Sequence, residues 1–129
     1  MRTFVAVLGG MLALGLAGPA LAQSGNATSE VGYASGALGV SALLQGDNAR
    51  AEAQLASMTG VKSNDPARLL NLGEVYRRTG RIASAAAAFR AARDYAHPFD
   101  VELADGTVMS TRQVAEIALA RLGGQYAQQ

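Results

Sequence analysis

The chain has 129 residues, half of them hydrophobic, with one histidine, no cysteine, and 11 Lys and Arg against 10 Asp and Glu. That balance argues against nucleic-acid binding: a protein that neutralises many phosphates carries a basic excess, and an aromatic content of 5% leaves little to stack on bases. Without cysteine there is neither a disulfide nor a thiol for lipid attachment, so stability rests on packing.

Residues 1–22 read as a secretory signal peptide. Arg2 precedes an acid-free apolar run from Phe4 to Gly18, and Pro19 and the small-x-small ending Ala20-Leu21-Ala22 follow it. An uncleaved membrane anchor is the competing reading, but the run is short for a bilayer span and is interrupted by Gly9, Gly10 and Gly15. Removal of the leader leaves Gln23 to Gln129, with basic and acidic side chains in equal number once Arg2 is lost, enough for one small domain. Small polar residues from Gln23 to Glu30 make a flexible leader.

Four helices are expected next. The first spans Val31 to Gln45; Gly46-Asp47 stops it and caps a second near Asn48 to Thr59. Asp65 is a natural N-cap, and Pro66 suits the first helical position, where its missing N–H would have had no partner. Leu69, Leu72, Val75 and Tyr76 then follow three- and four-residue steps along one stripe. Thr79-Gly80 ends that helix, and Ile82 to Ala92 forms an alanine-rich fourth with Ile82, Ala85, Ala86, Phe89 and Ala92 on one face. Residues 98–109 read as a β-hairpin: Val101 and Leu103 alternate with polar neighbours, and Asp105-Gly106 is a two-residue turn. Ser110 to Gln113 has the spacing of a capping box. It opens a helix with Val114, Ile117, Ala118, Arg121 and Leu122 at helical spacing, closed by Gly123-Gly124, so that residues 110–129 form a capping helix and tail.

The helical region repeats. Under one constant shift Leu38-Gly39 falls on Leu72-Gly73, Gly46 on Gly80, Ala51 on Ala85 and Leu55 on Phe89. In the second copy Leu69, Leu72, Gly73, Tyr76, Gly80, Ala85, Phe89 and Ala92 match the tetratricopeptide pattern, whose unit length the shift reproduces. The chain resembles that family over residues 31–97, in two units of about 32–65 and 66–99. Leu69 replaces the family's large aromatic, and His97 stands where proline is usual, with Pro98 next. The first copy, through Ser35, Leu38, Gly39, Ala42, Gly46, Ala51, Leu55 and Met58, is degenerate. An unrelated four-helix bundle is the alternative, but it does not require both glycines and both alanines at equal spacing. The fold class expected is mainly all-α: a TPR-like α-solenoid of two helix-turn-helix repeats with a small hairpin and a C-terminal helix covering the last repeat. Two units are fewer than the three a solenoid normally needs, so the tail helix or a partner chain must complete the core.

The resemblance implies a concave face lined by the first helix of each unit: Ala67, Leu70, Asn71, Glu74, Arg77 and Arg78 from the second, and Tyr33, Gly36, Val40, Leu43 and Leu44 from the first. Leu70, Asn71, Glu74, Arg77 and Arg78 are the candidate partner-binding residues. Against this, burial suits Tyr33, Leu43 and Leu44 better, and Arg77 and Arg78 also read as a solvated helix end whose cations oppose the helix dipole. Family members that clamp a C-terminal carboxylate carry Lys and Asn where this chain has Gly36 and Val40, so only Asn71 matches that use. The hairpin is read as part of the cap, with a binding role open.

Reactive groups are sparse. No Asp/Glu/His cluster has metal-ligand spacing and no glycine-rich phosphate loop follows a strand. His97 reads as a loop residue, Ser110 as an N-cap, Ser24 has no paired base, and Asp100 and Glu102 fall on the solvated face of a strand. No enzyme, cofactor or metal site is expected. The sequence points to an exported adaptor or assembly factor in the periplasm of a Gram-negative bacterium, or secreted, that binds a protein or peptide and meets the membrane only through its export signal. The alternative is a structural protein that self-associates as a homodimer or stack.

Overall fold

The computed structural model describes residues 3–4, 33, 36–57 and 61–126. The expected 23–30 leader lies outside these residues, as do the expected signal segment apart from Thr3 and Phe4, the last residues of the expected second helix, and the end of the tail. The elements run β1 (Thr3–Phe4), α1 (Val40–Leu44), α2 (Asn48–Ala56), α3 (Pro66–Arg78), α4 (Ile82–Arg93), β2 (Asp100–Glu102), β3 (Val108–Ser110) and α5 (Thr111–Tyr126). The chain is mainly helical. Its small sheet has β2 in the middle, antiparallel to β3 and parallel to β1, with Thr3 opposite Val101 and Phe4 opposite Glu102.

The helix starts follow from side-chain chemistry. Asp47 Oδ1 accepts from Arg50 N at 3.0 Å and Asp65 Oδ1 from Arg68 N at 3.1 Å, each satisfying an amide that the first turn leaves without a helical partner. At the head of α5, Ser110 N donates to Gln113 Oε1 and Gln113 N donates to Ser110 Oγ, the reciprocal pair expected of a capping box.

The two interhelical turns are copies of each other. Gly46 N donates to Leu43 O and Asp47 N to Ala42 O; one repeat further on, Gly80 N donates to Arg77 O and Arg81 N to Tyr76 O. Both glycines are left-handed, with φ of 74° and 76°, a conformation open to glycine at little cost. The next helix then starts with the same backbone bond, Ala51 N on Asp47 O and Ala85 N on Arg81 O, each at 3.0 Å, although only Asp47 also caps its helix through its side chain.

The helices before these turns differ. The first was expected from Val31 but begins at Val40, because Gly36 and Gly39 have φ of 80° and 63° and a right-handed helix cannot pass through them. Their lack of a Cβ brings the chain against α2: a Cβ on Gly39 would lie 3.2 Å from the Ala51 carbonyl oxygen, and one on Gly36 3.1 Å from Gln54 Nε2. Gly73, the counterpart of Gly39, sits inside α3 and serves another contact. There a Cβ would come within 2.5 Å of the Phe89 ring, so glycine lets α3 and α4 approach closely.

α3 lies at the centre, with α1 and α2 on one side and α4 and α5 on the other. Every residue from Pro66 to Val75 except Leu69 is buried. Leu38, Val40, Leu43, Ala51 and Leu55 join Leu70, Val75, Ala85, Phe89, Val114 and Leu122 in one continuous core. Each large aliphatic or aromatic member contributes about 1.5–3 kcal/mol by leaving water.

The hairpin forms, with a three-residue loop instead of the expected two. Leu103 pairs with Thr107, Gly106 N donates to Leu103 O, and Gly106 takes φ 84°, a turn followed by a left-handed glycine. Val101 and Leu103 point into the core while Asp100 is exposed. α5 differs from expectation in two ways. Its inner face is Thr111, Val114, Ala115 and Leu122, leaving Arg121 exposed and Ile117 40% exposed, and it runs through Gly123-Gly124 to Tyr126. Glycine permits a left-handed stop without imposing one, and neither residue adopts positive φ.

Candidate functional site

The residues expected to line a groove divide into an interior set and a rim. Ala67, Leu70, Asn71 and Glu74 are buried, as are Val40 and Leu43. The face of α3 proposed as open is covered by the Leu38–Leu43 segment, and the polar side chains on it bond to that segment. Asn71 Nδ2 donates to Leu38 O at 2.8 Å, and Arg78 Nη1 donates to Leu43 O at 2.8 Å. Asn71 thereby ties down the segment just before α1, and Arg78 adds a second donor to Leu43 O, which also accepts from Gly46 N at 3.1 Å.

Glu74 is the pivot of the rim. Its side chain is only 4% exposed, and it accepts from Arg77 Nε at 2.9 Å, Arg77 Nη2 at 2.7 Å and Arg78 Nε at 2.8 Å. Hydrogen bonding to this carboxylate raises the pKa of Arg77 above its ordinary value against the opposing effect of burial. Two guanidiniums around one carboxylate leave one surplus positive charge, and Arg77 Nη1 and Arg78 Nη2 have no partner among the described residues. Leu44, adjacent to the carbonyl that Arg78 grips, is 48% exposed. The rim therefore presents fixed cationic donors beside an apolar side chain, an arrangement suited to an anionic group flanked by an apolar one.

The remaining candidates have structural partners. Tyr33 is half-buried and donates to Asp65 Oδ2 at 2.9 Å; burial, then the Asp65 charge, push its hydroxyl pKa above the ordinary value. Gly36 borders α2. His97 is exposed and meets Tyr95 edge-to-face at 6.4 Å between ring centres, with no carboxylate bonded to it among the described residues. Among the described residues no group of three or more His, Cys, Asp or Glu could hold a metal ion, and no helix is long and apolar enough to cross a membrane.

Arg68 escaped notice in the sequence. Its side chain is buried without a carboxylate partner among the described residues, its Nε donating to Leu55 O at 2.9 Å and its Nη1 to Ser63 O at 3.1 Å. It caps the last turn of α2 from the first turn of α3, where a cation also opposes the α2 dipole. Arg112 of α5 repeats the device on α4, through Arg93 O and Tyr95 O. For Arg68 an arginine at a helix start, with another helix as the preceding element, was the one available signal; for Arg112 the hairpin between α4 and α5 removes even that.

Comparison with family models, with curated proteins and with solved structures finds no match.

Proposed function

We propose that the chain is an exported, non-enzymatic protein-interaction module of the tetratricopeptide kind, an adaptor or assembly factor acting in the periplasm of a Gram-negative bacterium. The observation that supports this reading is the pair of interhelical turns, at Gly46 and Gly80, with the same hydrogen bonds and the same left-handed backbone, each joining consecutive helices that pack in sequence order. The contact face is the rim of Arg77, Arg78 and Leu44, since Leu70, Asn71 and Glu74 are interior. Its partner is a protein or peptide presenting a carboxylate beside an apolar side chain.

Site-specific photocrosslinking in the exporting cell tests this. A crosslinker at Leu44 or Arg77 should give an adduct of one common mass, absent when it stands at exposed Ala83 on α4. Adducts at all three positions, or at none, would overturn the assignment. Self-association is the second reading, favoured by the exposure of Ile117 on the outer side of α5. It requires a sedimenting mass that rises with concentration and an Ile117→Glu variant that stays monomeric.

A further inference from the structure

We infer that the outer edge of β2 is an acceptor for an extended segment of another protein, opened when residues 1–22 are removed; the inference rests on reading those residues as a cleaved leader. In the full chain the edge is filled by Thr3–Phe4, which pairs in parallel with Val101–Glu102 from the far part of the sequence. β3 already satisfies the other edge of β2. Loss of the leader leaves a row of unpaired backbone donors and acceptors on a strand whose position is fixed from behind. Val101 and Leu103 are buried, and the hairpin is tied to α5 by Thr111 N on Phe99 O at 2.9 Å and by Phe99 N on Thr111 Oγ1. A rigid, unpaired edge is a template for strand addition.

Charge selects the occupant. Residues 98–110 hold Asp100, Glu102 and Asp105 and no Lys or Arg. Two β2 edges meeting in a dimer would bring like charges together, which disfavours a second copy. The segment that fills the edge here comes from the sequence Arg2-Thr3-Phe4-Val5, basic at its start and then β-branched and aromatic. The partner is accordingly an extended peptide of that composition, added parallel to β2.

The test uses the folded product recovered from cells that export the full chain, its intact mass recording whether residues 1–22 are gone. A fluorescein-labelled peptide of residues 1–7 is titrated by anisotropy, with hydrogen exchange followed at residues 100–103. The leaderless product should bind saturably with slowed exchange at those amides. The same peptide N-methylated at its Thr3 and Phe4 positions should bind at least roughly tenfold more weakly, the loss expected when one or two backbone hydrogen bonds are removed. Equal binding of the methylated peptide, absence of binding, or a product that keeps residues 1–22 would each overturn the inference while leaving the Arg77 and Leu44 rim to its own test. Concentration-dependent dimerisation reversed by the peptide would assign the edge to a second copy and overturn the choice of occupant.

Discussion

At the scale of single residues, the two glycines that align across the repeat meet different demands. Gly73 is required by space, since a methyl would enter the Phe89 ring; Gly39 is required by its left-handed backbone, with the Ala51 carbonyl close by. Gly73→Ala should lower the unfolding free energy by about 1–3 kcal/mol, the usual cost of an overpacked core, and Phe89→Leu added to it should cost less than in the wild-type background. Urea titrations of the four proteins check this; additive losses would mean that the two residues do not clash. The Arg68 guanidinium carries a separate expectation. Arg68→Met keeps the aliphatic stem but strands the buried Leu55 carbonyl, and should cost about 1–3 kcal/mol in the same measurement. The sequence disclosed that both glycines mattered. It did not disclose which was backbone and which was space, because a spacing pattern records position and neither φ nor the facing residue.

At the scale of elements, the legible features were those governed by local chemistry. Asp47, Asp65 and Ser110 act as caps because a short acceptor side chain reaches an amide three residues on, whatever surrounds it. The extent of α1 and the rotation of α5 were not legible: the first depends on a close approach to α2, and the second on how the helix docks on α4. The burial of Leu70, Asn71 and Glu74 was not legible for a related reason, since it depends on how the Leu38–Leu43 segment packs on α3, where Asn71 and Arg78 bond its carbonyls. Asn71→Ala should therefore loosen α1 and α2 selectively. Hydrogen exchange across residues 40–56 should accelerate well before that of residues 82–93, and uniform acceleration would contradict the assigned role. Tyr33→Phe, which frees one oxygen of Asp65, should lower stability by about 1 kcal/mol.

At the scale of the whole molecule, three carboxylates at or near the surface contribute to acid stability. Glu52 is held below the usual carboxylate range by its hydrogen bonds to Arg81, a pair joining α2 to the start of α4, and Asp94 and Asp105 are lowered by Arg93 and by the Thr107 amide. A carboxylate whose pKa is depressed in the folded state stabilises it above the unfolded pKa and loses that contribution as pH falls through the folded value. The urea midpoint should hold steady from neutrality down to the ordinary carboxylate range and decline below it. Glu52→Gln should make that decline shallower, and raised salt should weaken the difference between the two proteins because the pair is solvent-screened. A decline beginning near neutrality would point to another titrating group.

The enclosure of α3 limits what the fold can be adapted to do. A helix with neighbours on both flanks has no spare side on which a new specificity can be written without rebuilding the interior. Selection and engineering are left with its C-terminal tip and with the outward sides of the helices around it, such as Ala83, Ala87 and Ala91 of α4 and the exposed polar positions of α5.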